Sequence, residues 1–165
     1  MVLINFKNEE SIKKWHIEND TVMGGVSTSK IGYLKEDSGV KGILFFQGDV
    51  SLKNDGGFAQ ILYENQVLNL TKCIGLELKL KGDGKNYQLR FETNTTKIGY
   101  SKSFSTTNDW GVIRLAFADF KPDFHGEFIP NAPALDLENI KNIGLLIGNN
   151  KEESFKLLVN EIKSY

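Results

Sequence analysis

The stretch Trp15-His16-Ile17-Glu18-Asn19-Asp20-Thr21-Val22-Met23-Gly24-Gly25-Val26-Ser27-Thr28-Ser29 carries the side chains best suited to chemistry. It is long and polar for a connection, yet it holds a Trp and a Met that a purely flexible loop would waste. A carboxylate such as Asp20 can take a ligand hydroxyl, serve as a general acid if its pKa is raised, or cap backbone amides. Two outcomes are therefore expected for Asp20 to Ser27: a site on an ordered loop, or a structural plug with Met23 in the core. Asn54-Asp55-Gly56-Gly57-Phe58 is a smaller version of the same problem, because paired glycines mark a tight turn or a close backbone approach. A third cluster is Gly82-Asp83-Gly84-Lys85-Asn86, followed by Tyr87 and Arg90.

Catalytic signatures are missing around these residues. Gly82-Asp83-Gly84 lacks the third glycine of a dinucleotide loop and opens a strand, not a helix. Gly25-Val26-Ser27-Thr28-Ser29 lacks the second glycine of a nucleophile elbow. His16 and His125 lie more than a hundred positions apart, and Cys73 has no sequence-adjacent base to stabilise a thiolate. One Cys and two His cannot complete a zinc site or a disulfide framework. No catalytic residue and no cofactor are expected. A structural Ca²⁺ held by loop carboxylates and carbonyls is the single exception kept open, although no Asp-rich loop with regular oxygen spacing supports it.

The elements that must position these residues are strands. Ile74, Leu76, Leu78 and Leu80 alternate with Gly75, Glu77, Lys79 and Lys81, and Tyr87, Leu89 and Phe91 alternate with Gln88, Arg90 and Glu92. The Asp-Gly between them reads as a hairpin turn joining an antiparallel pair. Further strands are expected over Val2 to Phe6, Ile31 to Lys35, Val40 to Val50, Gly57 to Tyr63, Ile98 to Phe104, Gly111 to Ala116, Ile140 to Ile147 and Phe155 to Ile162. About ten short strands between Gly, Asn and Asp turns predict an all-β sandwich of two antiparallel sheets. A helix is expected only over Glu9 to Trp15, with a single turn at Leu135 to Asn139.

Composition narrows the partners. The chain has 165 residues and a formal net charge of -1, so no global field draws it onto phosphate or anionic lipid. Of its 20 basic residues only Arg90 and Arg114 are arginine, the side chain that reads guanine edges bidentately, and nucleic acid is not expected as a partner. The N-terminus reads as a first strand without a basic leader, and no apolar run approaches the roughly 20 residues of a membrane span. A cytoplasmic location, no transmembrane segment and one domain over residues 1–165 are the expectations.

The strings Asn19-Asp20-Thr21-Val22-Met23-Gly24-Gly25-Val26-Ser27, Gly56-Gly57-Phe58-Ala59, Lys81-Gly82-Asp83-Gly84-Lys85-Asn86-Tyr87 and Phe117-Ala118-Asp119-Phe120-Lys121-Pro122 together resemble the complex I intermediate-associated protein family, over almost the whole chain. The Asp-x-Val-Met-Gly-Gly-x-Ser string is the specific element. His125 stands where family members commonly carry Arg, and Asn149 to Ser154 is a divergent version of the last hairpin. The resemblance implies a galactose-binding-domain-like jelly roll and an assembly-factor or chaperone-like role on a protein partner. Relatives of the fold imply a carbohydrate as the alternative ligand. Trp15, Met23 and Phe58 are then expected on a loop rim, with Gly24, Gly25, Ser27 and Gly57 shaping it. Asp20, Asp83, Tyr87 and Arg90 are the candidates for sugar hydroxyls, and two or more exposed aromatics on one sheet face would discriminate the second reading.

Overall fold

The computed structural model describes the backbone of residues 1–165 and every side chain except that of Asn65. The strands are β1 (Val2–Asn5), β2 (Trp15–Ile17), β3 (Thr28–Asp37), β4 (Val40–Val50), β5 (Ala59–Leu68), β6 (Gly75–Lys81), β7 (Asn86–Thr93), β8 (Gly99–Ser105), β9 (Gly111–Ala116), β10 (Lys121–Phe124), β11 (Glu127–Phe128), β12 (Ile140–Ile147) and β13 (Glu153–Ser164). One sheet runs β3-β4-β13-β6-β9, with β1 also on β13; the other runs β11-β10-β8-β7-β12-β5-β2. Every strand pair is antiparallel.

Period-2 alternation builds both inner faces. Leu76, Leu78 and Leu80 from one sheet and Tyr87, Leu89 and Phe91 from the other are buried in a common core with Phe46, Ile61, Leu145 and Phe155. Aromatic rings fill the gap between the sheets: Phe46 meets Phe155 edge-on at 4.8 Å, and Phe91 lies 4.9 Å from Phe120. Large side chains from both layers thus consume most of the aromatics.

Four expectations need correction. The β6–β7 segment is not a hairpin: β6 pairs with β13 and β9, while β7 pairs with β12 and β8, so Gly82 to Lys85 crosses from one sheet to the other. Local turn chemistry was satisfied there by Gly84 at φ 82°, but the pairing partners were set by the core. Glu9 to Trp15 is not an α-helix; a 3-10 turn covers Glu9–Ile12, and Trp15 begins β2, where its indole is buried 5.3 Å from Tyr63 and 6.4 Å from Phe6. Asn149 to Ser154 is not a hairpin either, because β12 pairs within one sheet and β13 within the other, whereas Leu135 to Asn139 holds the expected single turn, closed by Asn139 N–H on Asp136 O. Ile74 is 68% exposed, because the ladder begins only at Gly75.

The registers also gather the segments of interest. Ile147 stands opposite Ala59, Leu146 opposite Gln88, Glu153 opposite Val50 and Thr28 opposite Asp49. Segments 18–27, 51–58, 82–85, 106–110 and 148–152 therefore lie at one end of the sandwich. Sequence-distant loops become neighbours there.

Candidate functional site

The centre of this end is the Asp20 carboxylate, which has no exposed surface. Its Oδ1 accepts the Ser27 N–H at 3.0 Å; its Oδ2 accepts the Ser27 hydroxyl at 2.6 Å, the Gly57 N–H at 2.7 Å and the Phe58 N–H at 3.3 Å. Ser27 Oγ in turn accepts the Ser51 N–H at 2.9 Å. Next to it, Asn19 Oδ1 accepts from Gln60 N–H at 3.1 Å and from the Ser29 hydroxyl at 3.0 Å. Burial pushes the Asp20 pKa up, but the bonds from the Ser27 side chain and from the Gly57, Ser27 and Phe58 amides outweigh it, and the carboxyl sits below its ordinary value. It is an ionised brace between two loops, the opposite of a general acid.

The glycines of the motif have separate duties. Gly24 adopts φ 90° at the end of the 3-10 turn Asp20–Met23. A Cβ on Gly25 would stand 2.5 Å from Asp20 Cγ, and one on Gly56 2.5 Å from Asp20 Oδ2. The carboxylate is sandwiched between two backbones that approach only because they lack side chains.

Asp83 makes a second brace at the same end. Its carboxylate takes the Tyr87 hydroxyl at 3.1 Å, the Lys85 N–H at 3.3 Å and, from β13, the Lys156 N–H at 2.8 Å. Tyr87 is buried, and burial together with the adjoining Asp83 charge holds its phenol far above the ordinary value, so the hydroxyl remains a donor. Tyr87→Phe is expected to lower stability by about 2 kcal/mol, the loss of one charge-assisted bond. A urea titration should show a lower midpoint at unchanged m.

Arg90 lies elsewhere, on the outer face of the seven-stranded sheet. Its guanidinium grips Asp123 bidentately at 2.6 and 3.0 Å and reaches Gln88 at 3.0 Å, while Ser101 also donates to Asp123. The outward positions beside it on β5, β7 and β12 are Gln60, Leu62, Gln88, Glu92, Asn142, Gly144 and Leu146, none of them aromatic. Phe128, 62% exposed, stands opposite Asp123 at the sheet edge. A row of exposed aromatics on one face is not found among the described residues.

The sequence-derived candidates thus separate. Asp20, Gly25, Ser27, Gly57 and Phe58 meet, Asp83 meets Tyr87, Arg90 stands apart, and Trp15, expected at a rim, is sealed in the core. Met23, 54% exposed, does not plug the core. No three His, Cys, Asp or Glu residues cluster in a metal-binding arrangement among the described residues. No described helix is long and apolar enough to cross a membrane.

Residues 4–159 match the family described as complex I intermediate-associated protein 30. The chain belongs to this family. Within this member of the complex I intermediate-associated protein 30 family, the Asp-x-Val-Met-Gly-Gly-x-Ser string maps onto the Asp20 brace. The chain is 26% identical over 176 residues to an uncharacterized protein of Schizosaccharomyces pombe, a match covering 92% of this chain and 80% of that protein. In three dimensions it resembles the family 11 carbohydrate-binding module of the cellulosomal cellulase Lic26A-Cel5E of Clostridium thermocellum, with TM-score 0.79, 17% identity and coverage of 99% of this chain and 92% of the module. A second structure of a family 11 module from that organism, in complex with a β-1,3-1,4-mixed-linked tetrasaccharide, gives TM-score 0.77 at 18% identity, covering 99% and 93% of the two chains. At such identities the likeness establishes the jelly-roll fold.

Sequence reasoning missed Asn19 and Ser51 in the hub and Asp123 opposite Arg90. Asn19 precedes Asp20 and extends the same motif, so it was legible. Ser51 and Asp123 sit at unremarkable positions, and only the sheet registers bring them in.

Proposed function

We propose that this family member is a non-catalytic binding module that engages a protein partner, in an assembly-factor or chaperone-like role, through the sandwich end built on Asp20. The observation carrying this reading is a set of apolar side chains displayed on the braced loops: Val22 is 67% exposed, Met23 54%, Val26 45% and Leu52 41%. Such side chains are costly to leave in water and serve as interface contacts, Met most adaptably. The hydrogen bonds beneath them fix the loop backbone before any partner arrives, which lowers the ordering cost of association. Asp20 and Gly25 then act as positioning residues, and Met23, Val22, Val26 and Leu52 make the contact.

A photo-crosslinking amino acid at position 26 of the full chain, exposed to cell extract, is expected to give a discrete protein adduct, whereas one at Asp119, at the opposite end, gives none. Met23→Lys should leave thermal stability within about 0.5 kcal/mol, as an exposed substitution does, while reducing the adduct about tenfold. Equal labelling from positions 26 and 119 would overturn the reading.

The carbohydrate alternative is favoured by the tetrasaccharide bound to a structurally similar module. It lacks the stacking platform on the outer sheet face. Titration with a mixed-linked tetrasaccharide that shifts the amides of Gln88, Arg90 and Gly144 would favour it over the protein-partner reading.

A further inference from the structure

A cleft of about 480 Å³ opens between the inter-sheet crossing at 82–85 and the turn at 148–152, lined by Gly84, Lys85, Asn86, Gly148, Asn149 and Glu153, with Asn150 and Lys151 at its mouth. Glu153, the first residue of β13, has a side chain only 5% exposed. Its Oε2 accepts Asn149 Nδ2 at 3.0 Å, and the same amide group donates to Asn86 O at 3.1 Å. Its Oε1 is buried and has no hydrogen-bond partner among the described residues. The cations beside it do not fill this need. Lys151 Nζ stays 3.9 Å from Oε1 on a side chain 64% exposed, and Lys85 Nζ lies 3.5 Å from Asp83 Oδ2. The Tyr87 hydroxyl is likewise directed to Asp83.

A buried anionic oxygen without a donor is costly, and the cost is offset by a charged N–H group entering the cleft. Two backbone carbonyls stand nearby, that of Asn86, which already accepts one bond from Asn149, and that of Gly57, 3.1 Å from where a Gly148 Cβ would be. A guanidinium or ammonium group offers only donors, so it serves such oxygens without bringing an unpaired acceptor. Gly148 also abuts Phe58, whose Cβ is 3.2 Å from that same point, and Phe58 is tied by its amide to Asp20. Gly148, which lines the cleft, thus packs against the loop that Asp20 holds.

We propose that the cleft receives a basic side chain of the protein partner, an Arg or Lys seated on Glu153 beside apolar residues that cover Met23 and Val26. This rests on the protein-partner reading above and adds the chemistry of the docking segment, a cation flanked by apolar side chains. Lys151 is displaced outward when the cation enters.

The test is an amide NMR titration of the full chain with N-acetyl-arginine amide, with the neutral isostere N-acetyl-citrulline amide and a mixed-linked tetrasaccharide as controls. The arginine probe should shift Gly84, Gly148, Asn149 and Lys151 saturably. Glu153→Gln should weaken it about tenfold, the worth of one charge-assisted bond, and Lys151→Ala should strengthen it about two- to fivefold by removing an exposed competing cation. Equal shifts from arginine and citrulline probes, no shifts at these amides, or shifts from the tetrasaccharide alone would overturn the proposal. Should Glu153→Gln fail to fold, the paired probes on the unmodified chain and on Lys151→Ala decide it. No partner is present in this experiment, so its failure leaves the crosslinking result at position 26 untouched, and the converse also holds.

Discussion

Asp20→Ala is expected to lower the unfolding free energy by about 4 kcal/mol, because four donors lose one buried acceptor at about 1 kcal/mol each. They are the Ser27 amide and hydroxyl and the Gly57 and Phe58 amides. A domain of this kind has about 5–15 kcal/mol in total, so the variant should melt far below the parent and sit near its folding threshold. Asp20→Asn should recover part of the loss. Its carboxamide oxygen serves some of these donors, while its NH₂ turns a donor toward another donor. The pH dependence separates charge from shape. The folded pKa of Asp20 lies below its ordinary value of 3.8, so ionisation contributes stability that is complete above the unfolded pKa and is lost as pH falls through the lower, folded value. The parent should therefore lose stability more steeply below about pH 4 than Asp20→Asn does, measured as urea midpoints across pH 2.5 to 7. Parallel acid limbs in the two proteins would remove the carboxylate from the centre of the loop brace.

A ligand cannot touch a carboxylate with no exposed surface, so any loss of binding in Asp20 variants must run through the loops it holds. If the tip binds a partner as proposed, Met23→Lys and Asp20→Asn should both reduce its capture, but only the second should also lower the melting temperature. The proposed division between contact residues and the residues that place them rests on exposure: Met23 is 54% exposed and Asp20 not at all.

Strand identity was legible because alternation is a local property. Leu76, Leu78 and Leu80, or Tyr87, Leu89 and Phe91, declare a buried face without reference to any partner. Pairing was not legible. The Asp83-Gly84 turn has the composition of a hairpin, yet its carboxylate reaches Lys156, more than seventy positions away in β13, and closes an inter-sheet crossing. β2 and the β10–β11 ribbon are short, at 3, 4 and 2 residues, and offer too few periods for alternation to be read. The site divided along the same line. Asp20, Gly25 and Ser27 stand out because they share one loop, whereas Glu153 draws its meaning from Asn149, Asn86 and burial that only the fold supplies.

Gly25→Ala is the second large effect, expected to cost about 3 kcal/mol, at the upper end for a methyl forced into a filled space. The backbone at Gly25 is not in the left-handed region, so the penalty is steric: the new Cβ would stand 2.5 Å from Asp20 Cγ and 2.6 Å from Oδ1. Asp20 cannot retreat, because Gly56 closes the other side and the Gly57 and Ser27 amides hold its oxygens. Gly24→Ala meets open space and is burdened only by φ 90°, for about 1 kcal/mol. The two glycines can therefore be told apart by a double-mutant cycle with Asp20→Ala. Removing the carboxylate clears the two tightest contacts and leaves only the residue-20 Cβ, 2.9 Å from the new methyl, so Asp20→Ala/Gly25→Ala should be about 1 kcal/mol less stable than Asp20→Ala alone, a coupling of about 2 kcal/mol. Gly24→Ala should instead add to Asp20→Ala within about 0.5 kcal/mol, since its strain lies in its own backbone. Additivity at Gly25 would mean that the Gly-Gly step serves turn conformation only; strong coupling would make it the mould in which the buried carboxylate is cast, and would explain why Gly25 and Ser27 accompany Asp20 in one motif.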